Sequence, residues 1–243
     1  MDFLTHNFIY ALIFLFSINS CITVDENYDK DNYTGFIELK NEDNVIRKKA
    51  YYKNGIKYSY EFHYYSNGKA HKVLYNLKGK LNGPYHEYFK NGNIKETGFF
   101  ENNLRTGEWI TFYENGQLQS QVEYKSGEKV GKWVEYYKSG ELLAKGLYKK
   151  NLKNGEWNLF HKNGNIEHES FYKNGKEEGK WVSYHENGVM AGIINFKNGK
   201  KHGDWKKFDE NGDIYSAGSY ENNKPNGKWM KISTNGKKLY AKF

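Results

Sequence analysis

The sequence predicts an all-β protein: an elongated, single-layer antiparallel meander of tandem 24-residue β-hairpin repeats. Three observations carry this. Tryptophan occurs six times, at 109, 133, 157, 181, 205 and 229, always 24 residues apart. Glycine stands two residues before and seven residues after each of them, the second usually as Asn-Gly. Between those glycines lie extended runs rich in aromatic and β-branched residues, with no segment of helical period. A compact core places its tryptophans wherever they pack, so a fixed interval means a repeat architecture. A coiled β-solenoid is the alternative arrangement of the same repeats.

In the frame 107–130, Glu108 to Glu114 is expected as one strand, Asn115-Gly116 as the tight turn and Gln117 to Lys125 as the return strand. Asn-Gly between strand-forming runs is a strong hairpin signal. Ser126 to Val130 is expected as a longer loop. A further column, Gly55, Gly79, Asn103, Gly127, Asn151, Gly175, Gly199 and Asn223, holds only the two residues that best tolerate positive φ. In this register Trp109 faces Val122 and Tyr113 faces Leu118, and alternation puts all four on one face. The column opposite the large rings reads Gly98, Val122, Gly146, Ser170, Ile194, Gly218. Its small residues imply that each ring lies over its partner within its own hairpin. Equivalent rings in successive repeats are expected ~10 Å apart, two strand spacings, and so out of contact. The frame runs back to Gly35, giving degenerate repeats over 35–82 and regular ones over 83–243.

The first residues differ. Phe8 to Phe16 is an apolar run too short to span a bilayer but suited to a signal-peptide core. It ends at Ile18, Ser20 and the chain's single cysteine, Cys21, which resembles a bacterial lipoprotein signal. The expectation is a signal peptide over 1–20, then a lipidated Cys21 and a polar tether over 21–34. That places the chain in a bacterial cell envelope, lipid-anchored at the outer membrane or surface, with secretion as the alternative. With no further cysteine, no disulfide framework is possible.

The chemistry of enzymes is missing from the sequence. The glycines follow the turn lattice, and none forms a phosphate-binding loop before a helix. No zinc-protease, paired-cysteine or nucleophile-elbow motif occurs. His161 and His185 share a repeat column, so they stand too far apart to hold one metal ion at ~2.1 Å. No catalytic, cofactor or metal-binding residue is expected. The net charge of +8 comes largely from lysines at turns, which solvate the edges, and nucleic acid is not an expected partner. One column breaks the repeat: Phe89, Tyr113, Tyr137, His161, His185, Asp209, Ser233 grades from aromatic to polar. Its first five members are the candidate binding stripe for a protein partner.

The unit G-x-W-x-x-[YF]-x-x-N-G-x-[IL]…[YF]-x-N-G-K-x-x-G, clearest in GKWVSYHENGVMAGIINFKNGKKH at 179–202, resembles the MORN-repeat variant of bacterial proteins. The likeness is strong over 83–243 and weak over 35–82. Such proteins are described as YwqK-type antitoxins of toxin–antitoxin systems, and the wider family is associated with scaffolding and membrane-lipid contact. The resemblance therefore implies a non-enzymatic scaffold whose partner is a protein, a toxin among them, and it carries over no catalytic residue. A second kind of partner, a cell-wall glycan or choline-type ligand, is implied by likeness to the aromatic hairpin repeats of cell-wall-binding proteins, which hold such ligands in ring cages.

Overall fold

A computed structural model describes residues 21–23 and 32–243. The expected signal peptide at 1–20 and the tether stretch 24–31 lie outside the described residues. The chain divides after Lys80 into two units. In the first, strands β1 (Cys21–Thr23), β2 (Gly35–Lys40), β3 (Ile46–Lys53), β4 (Ile56–Tyr64) and β5 (Ala70–Leu77) form one open sheet. β1 joins β2 in parallel, and β2 to β5 pair antiparallel in chain order.

The second unit starts within β6 (Lys80–Tyr88). It continues through β7 (Ile94–Glu101), β8 (Leu104–Phe112), β9 (Leu118–Lys125), β10 (Glu128–Tyr136) and β11 (Leu142–Lys149). Then come β12 (Leu152–Lys153), β13 (Gly155–Phe160), β14 (Ile166–Lys173), β15 (Lys176–Glu177) and β16 (Gly179–Tyr184). The last are β17 (Met190–Lys197), β18 (Lys200–Phe208), β19 (Ile214–Glu221), β20 (Lys224–Ile232) and β21 (Lys238–Lys242). Pairing within this unit is antiparallel between sequence neighbours, which is the meander and not a solenoid.

The two turns of each repeat exchange the roles the sequence suggested. Glu128 pairs with Lys125, so Ser126-Gly127 is the two-residue turn, with φ of 50° and 81°. Two successive positive φ values are what a type I′ hairpin turn requires, and its twist matches that of the strands. The Asn115-Gly116 turn is looser. Gly116 N–H donates to Tyr113 O and Tyr113 N–H to Gln117 O, leaving Glu114, Asn115 and Gly116 as a three-residue loop. Only Gly116 there has positive φ, the pattern of a type I turn closed by a left-handed residue. Leu118 consequently pairs with Phe112, not Tyr113, and belongs to the face away from Trp109. A bulge between Thr111 and Phe112 then restores the register, so Trp109 does face Val122.

Both margins of the sheet are laced from repeat to repeat. On one, the turn asparagines reach forward: Asn115, Asn163 and Asn187 donate Nδ2–H to the carbonyls of Lys138, Glu186 and Glu210. On the other, Asn103, Asn151 and Asn223 reach back. Each donates its N–H to the carbonyl of Leu81, Lys129 or Lys201, and accepts that residue's N–H on Oδ1. An inserted residue would break a staple on each side, which explains a repeat length that never slips.

The rings pack differently from the expectation. A Cβ on Gly98, Gly146 or Gly218 would lie 2.2–2.3 Å from ring atoms of Trp109, Trp157 or Trp229. Each glycine is thus covered by the tryptophan of the following hairpin, not its own. Over that bare glycine two rings close up: Tyr85 and Trp109 at 5.3 Å between centroids, Trp133 and Trp157 at 5.1 Å, Trp205 and Trp229 at 5.1 Å. The expected gap of two strand spacings is bridged because both side chains lean across a residue with no side chain of its own. Gly146→Ala must push Trp157 off its seat. We expect a loss of ~1–3 kcal/mol, the usual cost of overpacking, read from urea unfolding followed by tryptophan fluorescence. An unchanged midpoint would mean that the ring pair tolerates a methyl group.

Candidate functional site

Where Ser170 and Ile194 replace glycine in this column, the neighbouring tryptophans stay apart and the Trp-bearing face opens. A concavity of about 490 Å³ lies there, within the second unit. Trp133, Trp157, Trp181 and Trp205 line it from four successive repeats, with Leu159 and Ile194 between them. Polar side chains on its walls include Glu135, Lys153, His168 and Ser183, with Lys206 and Lys207 beside them. Burial raises the Glu135 carboxyl above its usual range, with Lys129 opposing, and burial lowers Lys153, with Glu177 opposing. Mostly apolar walls with a few polar groups suit recognition of a ligand surface. Among the described residues no three His, Cys, Asp or Glu side chains gather as metal ligands do.

The column chosen from the sequence does not line this concavity. Tyr113 and Tyr137 donate their hydroxyls to the carbonyls of Tyr136 and Phe160, at 2.7 and 2.8 Å. His161 and His185 donate Nε2–H to Tyr184 O and Phe208 O, both at 3.0 Å. Every one of these carbonyls belongs to the next repeat. The change from Tyr to His along the column therefore keeps a single task, a donor reaching 23 residues ahead, and fixes the histidine tautomer. Asp209 turns inward instead, accepting N–H bonds from Asn211 and Asp213 in its own turn. Phe89 has no donor to offer. The Cys21 side chain lies outside the described residues.

The geometry of laced hairpins agrees with comparison to known proteins. The MORN repeat variant model matches six tandem segments, 81–102, 105–126, 129–150, 153–174, 177–198 and 201–222, more than half of the chain. The chain is a MORN-repeat protein. No curated relative matches it. Among solved structures, a virginiamycin B lyase from Staphylococcus aureus is similar at 10% identity and a TM-score of 0.18, over 90% of this chain and 87% of that one. A porin-like protein from Bacteroides uniformis is similar at 8% identity and 0.20, over 91% and 96%. Likeness at that level carries no argument about what this MORN-repeat protein does.

The MORN segments begin at a further repeat column. Four residues before each tryptophan stand Arg105, Lys129, Lys153, Glu177, Lys201 and Pro225. The cations lie over rings of their own repeat. Arg105 is 3.8 Å from the Trp109 ring centroid and 5.4 Å from Tyr124, and Lys153 is 4.2 Å from Trp157 and 5.0 Å from Tyr172. Lys129 covers Tyr148 and Lys201 covers Tyr220, each at 5.2 Å. Such contacts contribute ~0.5–1 kcal/mol each when exposed, more when desolvated. The column was visible in the sequence; its meaning needed the register that brings position −4 over the ring.

Proposed function

We propose that this MORN-repeat protein is a non-enzymatic scaffold, anchored to the membrane through acylated Cys21, that binds a protein partner on its Trp-bearing face. The concavity spanning Trp133 to Trp205 carries this reading: it offers apolar and polar groups from four repeats on one surface. A toxin is the specific partner that the family resemblance implies, and rescue of a neighbouring toxin's effect is the way to identify it. A choline-type ligand fits less well, because built-in cations already cover the rings of four repeats.

The test is affinity capture with the full chain from a membrane-envelope extract. Wild type is compared with Ser183→Arg in the concavity and Leu147→Glu on the opposite face, each shown folded by its melting curve. The expected result is one specific protein held by wild type and Leu147→Glu and released by Ser183→Arg. Loss with Leu147→Glu alone, or capture of nothing, overturns the reading. Cys21→Ala should abolish lipid labelling and move the chain out of the envelope fraction; an unchanged distribution overturns the anchor.

A further inference from the structure

The cation column has one reversal of charge. In the repeats starting at Arg105, Lys129, Lys153 and Lys201, the chain's own cation sits over the rings. In the repeat between Lys153 and Lys201 the position is Glu177. The rings there are in place: Trp181 stands 4.7 Å from Phe196 and 5.4 Å from Tyr172, centroid to centroid. Glu177 pairs with Tyr172 across the ladder. Its carboxylate makes no hydrogen bond or ion pair among the described residues, and Lys153, the cation that influences it, lies over Tyr172 in the preceding repeat.

A carboxylate is a poor neighbour for a ring face, whose quadrupole is negative, while a cation between the two is attracted by both. Leu81 and Pro225, the other members of the column without a cation, are uncharged and offer no such attraction. Trp181 also lines the concavity, so the spot borders the face assigned to a partner. We propose that Trp181, Phe196 and Glu177 form a binding site for a lysine or arginine side chain of a protein partner. That side chain would occupy the place that Arg105 and Lys153 fill in their own repeats. The inference rests on the scaffold reading above and adds the chemistry of the partner: a basic residue anchored at the middle of the array.

The probe is N-acetyl-arginine amide titrated into the full chain, with N-acetyl-citrulline amide as its neutral isostere. The indole N–H signal of Trp181, assigned with Trp181→Phe, is followed by NMR. The arginine compound should shift it and the citrulline compound should not. Glu177→Lys supplies an internal cation; it should keep or raise the melting temperature and weaken the arginine response by roughly tenfold or more, the scale of a desolvated cation–π contact. Equal response to both compounds, or an undiminished response in Glu177→Lys, overturns the site. A shift with phosphatidylcholine vesicles and none with arginine also overturns it, in favour of a lipid headgroup. A partner captured equally by wild type and Glu177→Lys overturns this inference and leaves the scaffold reading standing. Capture of nothing overturns the scaffold reading, and the arginine titration then decides the site alone.

Discussion

Replacing Trp157 with alanine is expected to lower the stability of the second unit by ~3–5 kcal/mol, the cost of truncating a large buried aromatic. Trp157 is 5% exposed. Its ring touches Trp133 and Tyr148, each at 5.1 Å, and Tyr172 at 6.1 Å, and it carries Lys153 at 4.2 Å. It covers Gly146 and donates Nε1–H to Leu147 O at 3.1 Å. Removing it uncovers a strand glycine, frees a lysine and empties the floor of the concavity in one step. In a repeat array each unit is held mainly by its neighbours, so the loss spreads outward. Amide exchange should quicken most across 142–173 and less toward β6 and β21. A denaturation midpoint within experimental error of wild type would refute the view of this ring as a shared support between two hairpins.

The parts of this molecule that were legible in the sequence are those written once per repeat. A tryptophan every 24 residues, with glycines at fixed offsets, gives the hairpin of each repeat, the antiparallel order and the pairing of Trp109 with Val122. Which turn is tight was not legible from Asn-Gly alone. The dipeptide suits both a type I′ turn and a type I turn closed by a left-handed glycine. Ser126-Gly127 carries a weaker motif yet has both positive φ values. The face of Leu118 was misassigned for the same reason, since a one-residue change in loop length moves a side chain to the other face. The stacking of Trp133 on Trp157 was hidden because a spacing argument treats rings as perpendicular posts. It omits the lean that a glycine between them permits. For the candidate site, the column Phe89 to His185 drew notice because it varied. From Tyr113 to His185 its variation preserves one hydrogen bond per repeat, and no single sequence displays the carbonyl that receives it.

Glu61→Gln is expected to cost the first unit about 3 kcal/mol at neutral pH, the low end for breaking a buried ionic group. Glu61 stands where later repeats place a large ring, and it is 4% exposed, paired with Ala50 and Leu74 across the sheet. Its oxygens accept from Lys48 at 2.7 Å, Lys57 at 2.8 Å, His63 at 2.8 Å and Asn76 at 3.2 Å. Burial by itself would raise this carboxyl, but the bonds from His63, Lys48 and Lys57 outweigh it and hold the group well below its ordinary 4.5. Lys48 and Lys57 keep 28% and 30% exposure, so they rehydrate partly when the charge is gone, which sets the cost at the lower end. A folded pKa below the unfolded one means stability that is fully present above about pH 4.5 and is lost as pH falls through the folded value. Wild type should therefore lose protection in β3 to β5 as the pH falls below that value. Glu61→Gln, already without the charge, should show a flatter acid dependence. Amide exchange over 46–77 is the suitable reporter, because all six tryptophans lie in the second unit and fluorescence does not see this sheet. Parallel acid profiles for the two proteins would show that the carboxylate, though buried, is not what ties these strands together.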